Sequence, residues 1–264
     1  MITVQNETFR NIPTLHVVKA NQKQNNELPT VFFLHGYTSA KEHNLPIAYL
    51  LAEKGFRVIL PDAIHHGERE GSIQGKKRDA LFWNIVLQSI QEIEYLKEEL
   101  KERSLIHKER IGISGTSMGA ITTYGALSQY NWIDAAVAYM GTAYFQSFVN
   151  VQIQMLEDAG YPLDKDVVNK TLQKLQSVDL SQRFESLNER PLFIWHGEQD
   201  EVVPFEYSNT LYKDLQHYYK AQPENLKFLS EPKTAHKVSR VATLAGVNWF
   251  SEHLLTEQVK ATVW

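Results

Sequence analysis

The chain has no cysteine among its 264 residues. That excludes disulfides, thiolate metal sites and cysteine nucleophiles together, so covalent chemistry would have to pass through oxygen or nitrogen. Positive charge is not in excess either, with 27 Lys and Arg against 31 Asp and Glu and a formal net charge of −4. No summed positive field is available to draw in nucleic acid or an anionic membrane, and the short basic run Lys76-Lys77-Arg78 reads as a solvated helix start. No apolar run approaches the ~20 residues that span a bilayer. The opening MITVQNETFR lacks both a basic start leading into an apolar stretch and a small-residue cleavage site. The expectation is a cytoplasmic protein with no nucleic-acid or membrane partner.

What is present is an ordinary globular balance, 43% hydrophobic and 22% charged, enough to bury a core. One α/β domain over residues 1–264 is expected, since such folds often reach roughly 250 residues as a single unit. Short β-rich runs alternate with longer helical patterns, which predicts a mostly parallel sheet flanked by helices. Eight strands are predicted, at 2–9, 14–19, 30–35, 57–60, 110–114, 135–140, 192–196 and 226–230. Helices are predicted at 42–54, 79–103, 117–129, 204–219 and 237–254. The second of these carries Leu81, Ile85, Ile90, Ile93 and Leu96 on one face. The interval 144–190 far exceeds a normal connection and has helical patterns of its own, so it is expected to form a small helical cap.

Gly115-Thr116-Ser117-Met118-Gly119 follows a predicted strand and opens a predicted helix. A serine on so sharp a turn needs neighbours without side chains two positions before and after it, and glycine supplies both. The helix start also offers the Met118 N–H to a developing oxyanion. A serine hydroxyl needs a base to become a nucleophile at neutral pH. Of ten histidines, His236 lies in a loop after the last predicted strand, the place this fold order requires. His107, His217 and His253 fall in or beside helical patterns instead. The acid belongs on the loop after 192–196, where Glu198, Asp200 and Glu201 are all candidates by position. His35-Gly36-Tyr37-Thr38 follows the first core strand, and its Tyr37 N–H is the expected second oxyanion donor. Asp62, His65 and His66 show no metal-ligand spacing, so no metal and no cofactor are expected. That loop is expected near the site entrance, with Arg69 and Asp62 tying it down by charged hydrogen bonds.

These residues resemble the small bacterial esterases in the dienelactone-hydrolase and prolyl-oligopeptidase-like branch of the α/β-hydrolases. The resemblance covers nearly the whole chain. It rests on His35-Gly36-Tyr37-Thr38-Ser39, Leu60-Pro61-Asp62, His66-Gly67-Glu68-Arg69, the Ser117 motif, His196-Gly197-Glu198-Gln199-Asp200 with Val203-Pro204, and His236. It implies an α/β-hydrolase fold and a Ser117, Asp200, His236 triad, selecting Asp200 among the three acids. It further implies hydrolysis of a short-acyl carboxylic ester; the competing readings are thioester or amide cleavage by the same triad and, after that, a non-catalytic ligand-binding protein. The expected substrate-pocket residues are His35, His66, Tyr144, Phe145 and Val202. Thr116 departs from the bulkier or charged residue of many relatives. The partner is a small-molecule ester, with homo-oligomerisation left open.

Overall fold

Runs without polar alternation are the ones buried on both faces. Every residue of β3 (Thr30–Leu34), β4 (Arg57–Pro61) and β6 (Ala135–Tyr139) is buried, as parallel strands covered by helices require. By contrast β1 (Ile2–Phe9) is only half-buried and pairs antiparallel with β2 (Ile12–Lys19). The hairpin turns through Arg10 and Asn11, both at positive φ (46° and 66°), the backbone of a tight two-residue turn. With β5 (Ile111–Thr116), β7 (Leu192–Gly197) and β8 (Leu226–Glu231) the sheet is complete. The computed structural model describes residues 1–106 and 110–255.

The strand order is β1-β2-β4-β3-β5-β6-β7-β8, antiparallel from β1 to β4 and parallel from there on. The chain leaves β3 toward β4 and then returns to β3's other edge as β5, so a crevice opens outside the carboxyl ends of β3 and β5. One apolar layer, under α1 (Leu45–Lys54) and α8 (Arg240–Leu254), covers one face. The other face carries α3 (Phe82–Glu102), α4 (Met118–Gln129) and α7 (Glu206–Leu215). The helix predicted over 79–103 is split, because a four-residue α2 (Lys76–Asp79) precedes α3 and the chain breaks at Ala80 and Leu81. The helix predicted over 204–219 is shorter than its pattern.

The interval 144–190 carries α5 (Phe145–Asp158) and α6 (Lys165–Gln176) followed by 3-10 turns. Its foot is held by the fully buried Asp179, whose carboxylate accepts the Gln146 N–H at 2.9 Å and the Ser181 N–H at 3.0 Å. The loop after β4 is tied down by charged hydrogen bonds of both Asp62 and Arg69. Asp62 pairs with the buried Lys41 ammonium at 2.7 Å and accepts the backbone N–H groups of Lys41 and Glu68, both at 3.0 Å. Arg69 reaches only the Asp62 carbonyl and forks onto Glu92 at 2.7 and 2.8 Å. The planar guanidinium finds two carboxylate oxygens there.

Candidate active site

The close approach of β3, β5 and α4 explains the glycines around Ser117. A Cβ on Gly115 would lie 2.4 Å from the Gly119 carbonyl oxygen, and one on Gly119 would lie 2.2 Å from the Leu34 carbonyl oxygen. Neither place admits a side chain, so strand and helix can meet at a turn that holds Ser117 at φ 54°, ψ −114°. Positive φ in a residue with a Cβ is a strained conformation that the surrounding packing must enforce. Met118 is the first residue of α4, so its N–H has no partner within the helix.

Three side chains from three loops meet there. His236 Nε2 is 2.9 Å from Ser117 Oγ, and His236 Nδ1 is 2.6 Å from Asp200 Oδ2. One tautomer satisfies both: Nδ1–H donates to the carboxylate and Nε2 accepts from the hydroxyl. The loop carrying His236 is pinned to the acid loop by the Gln199 N–H donating to the Thr234 carbonyl at 3.0 Å. Asp200 Oδ1 accepts the N–H groups of Val202 and Val203 at 2.9 and 3.0 Å. Burial alone would raise the Asp200 pKa, but hydrogen bonds from His196, His236 and the Val203 N–H outweigh it and hold the carboxyl well below the usual range. Glu198 instead accepts from Ser230 Oγ at 2.7 Å, and Glu201 is exposed at the cavity wall.

His196 had no role of its own in the sequence reading, although it stands in a quoted motif. Its buried Nε2 lies 3.1 Å from Asp200 Oδ2 and 2.8 Å from the Val203 carbonyl, and its Nδ1 lies 2.7 Å from Ser208 Oγ. The acid is thus held from behind by a second histidine. The signal in the sequence was a histidine at the end of an apolar strand, where a buried imidazole must find partners for both nitrogens.

The loop after β3 lies against Ser117: a Cβ on Gly36 would be 3.6 Å from Ser117 Cβ. His35 stands behind that loop. Its Nδ1–H donates to the Gly36 carbonyl at 2.8 Å and its Nε2 accepts the Ala63 N–H at 3.0 Å. No peptide bond among the described residues is cis, so anchoring the Gly36 carbonyl turns the Tyr37 N–H of the same peptide the opposite way. The Tyr37 hydroxyl donates to Asp79 at 2.6 Å, and burial followed by that bond pushes its pKa up to about 12.

A cavity of about 440 Å³ opens at Ser117, with Phe82, Ile121, Phe148 and Tyr207 among its walls. Of the five expected pocket residues only Val202 lines it. His35 is buried with both nitrogens engaged, as described. His66 is 1% exposed and packs edge-on to Tyr37. Tyr144 turns away to donate to Asp214 at 2.6 Å, and Phe145 is core, packed on Trp83. His217 and His253 stand away from Ser117, against Tyr218 and Trp249, while His107 lies outside the described residues. No metal-binding cluster of His, Asp and Glu is found among the described residues, and no described helix is long and apolar enough to cross a membrane.

Burial lowers the His35 pKa to about 4, and burial also lowers those of His16 and His66. Between pH 6.5 and about 4 the unfolded chain takes a proton that folded His35 refuses. Stability is therefore full above that window and falls as the pH drops through it. The urea midpoint is expected to decline across the window and to decline less in His35→Gln. A midpoint that stays level there in the wild type would contradict the burial argument.

A profile of the prolyl oligopeptidase family matches residues 47–255. YitV of Bacillus subtilis (strain 168), described only as a candidate esterase, is 44% identical over 256 residues, 96% of this chain and 100% of that one. Esterase YjfP of Escherichia coli (strain K12) is 32% identical with the same coverage. Among solved structures, TT1662 from Thermus thermophilus superposes with a TM-score of 0.76 at 21% identity, covering 97% of this chain and 100% of that one. Strand order, sharp serine turn and family match agree, and the chain belongs to the prolyl oligopeptidase family, with the α/β-hydrolase fold.

Proposed function

We propose that this protein is a serine carboxylesterase that cleaves small carboxylic esters through an acyl-enzyme on Ser117. The observation that carries the reading is the imidazole of His236, within hydrogen-bond reach of both the Ser117 hydroxyl and the Asp200 carboxylate. The esterase names of YjfP and, as a candidate, YitV support it at high coverage.

In acylation His236 Nε2 takes the Ser117 proton while Oγ bonds to the ester carbonyl carbon and the carbonyl π pair moves onto oxygen. The anion forms beside the Met118 N–H and the Tyr37 N–H, and removal of one such donor typically costs about 3 kcal/mol of barrier. Asp200 stays ionised and stabilises the imidazolium it orients. When the intermediate collapses, the carbon–alkoxy bond breaks, the alkoxide takes the proton from Nε2 and leaves as the alcohol. Water then repeats the sequence, giving up its proton to His236, attacking the acyl carbon and releasing the carboxylic acid with the proton returned to Ser117.

The test is a short-chain p-nitrophenyl ester assay alongside fluorophosphonate labelling and peptide mapping. Turnover together with a single adduct on Ser117 is expected. No turnover, or an adduct elsewhere, would overturn the reading. Matched thioester and aminoacyl-amide probes rank the three leaving groups, with the ester expected to react fastest.

A further inference from the structure

A second cavity of about 330 Å³ lies between α2, α5 and α6, next to the one at Ser117. Both volumes fall in the range of small-molecule sites. The two share three wall residues, Asp79, Gln152 and Leu156. The two therefore adjoin along α5, at Gln152 and Leu156. Gln152 Oε1 is buried and accepts no hydrogen bond, so moving this amide sacrifices no bond at that atom. Around both cavities the protein leaves large apolar side chains in water: Met155 is 65% exposed and Val202 59% beside Ser117, and Val167 is 51% exposed at the second cavity. Apolar exposure concentrated at two adjoining hollows marks a surface that an apolar ligand covers.

We propose that the second cavity is an annex for the distal part of a linear alkyl acyl chain, making medium-chain esters better substrates than short ones. This rests on the reading of Ser117 as nucleophile. The acyl part is chosen over the alcohol because it stays bonded to Ser117 Oγ until water releases it, whereas the alcohol departs at once. A chain held for the second half of the cycle benefits from a long apolar channel. The route runs from Ser117 past Gln152 and Leu156 toward Val167 and Val168.

The experiment is a ladder of p-nitrophenyl esters from acetate to decanoate on the wild type, Val168→Trp and Val167→Asp, none of whose changes touch the wall of the Ser117 cavity. The tryptophan fills the annex, and the aspartate charges it at an exposed first-turn position of α6 where the helix dipole favours an acid. Wild-type kcat/KM is expected to climb with chain length, at most about fourfold per buried methylene. Both variants should keep butyrate within about twofold while losing roughly tenfold or more on decanoate, equivalent to a few buried methylenes. A wild-type optimum at acetate or butyrate, or variants that lose both substrates equally, would overturn the annex. So would a decyl acetate series in which the length dependence follows the alcohol, or a dimer whose interface covers both cavities. Calorimetric binding of decanoate to Ser117→Ala separates the two readings. Tight binding that Val168→Trp abolishes upholds the annex even if Ser117 is not the nucleophile, and equal binding in both backgrounds refutes it.

Discussion

Ser117→Ala is expected to lower kcat for a short p-nitrophenyl ester by about 10⁴-fold or more, with the melting temperature unchanged. Alanine keeps the Cβ that fits the turn and is as strained as serine at φ 54°, so the backbone gains no relief. What disappears is Oγ, the proton source that lies 2.9 Å from His236 Nε2. The two backbone donors remain, so a residual rate above that of water is compatible with the mechanism. Fluorophosphonate labelling should vanish in the same variant. Turnover within tenfold of wild type would remove Ser117 from the reaction altogether.

Asp200→Asn should be nearly as severe, lowering kcat by roughly 10³–10⁴-fold while leaving KM close to wild type. The amide oxygen can still accept the N–H groups of Val202 and Val203, so the loop keeps its shape. The amide nitrogen, however, then faces His236 Nδ1 at the 2.6 Å contact and must donate rather than accept. The imidazole is driven to carry its proton on Nε2, where it cannot take one from Ser117. His196 Nε2 also loses a carboxylate at 3.1 Å and keeps the Val203 carbonyl, for which a stability loss of about 1–3 kcal/mol is expected. Chemical denaturation and steady-state kinetics on the one variant measure both effects. A variant with near-normal kcat would mean that another acid orients His236, although Glu198 is engaged by Ser230.

Much of this was legible along the chain because it depends on local rules. The Ser117 turn needs glycines at fixed offsets, since the strand and helix flanking it come within the space of a Cβ. The strands needed only short β-rich runs, unbroken and apolar in the core, and their predicted bounds lie within two residues of those observed. The position of Asp200 at a strand end before a helix was equally local, but its choice over Glu198 and Glu201 came from family resemblance. The pocket wall resisted this reading. Tyr144 and Phe145 follow a strand that ends at the site, yet nearness in sequence does not say which way a side chain points. Tyr144 turns to Asp214, 70 residues away, and Phe145 joins the core on Trp83.

By itself the sequence determined the order of strands and helices, the absence of thiol chemistry and the sharp turn that presents Ser117, because each follows from residue type and short-range spacing. Only the tertiary structure decided that His236 reaches Ser117 across 119 positions, that His196 backs Asp200, and that Met155 and Leu156 rather than Tyr144 wall the cavity. Those outcomes depend on where loops land once the sheet has twisted and the helices have packed. Side-chain direction in such loops is set by partners distant in the chain.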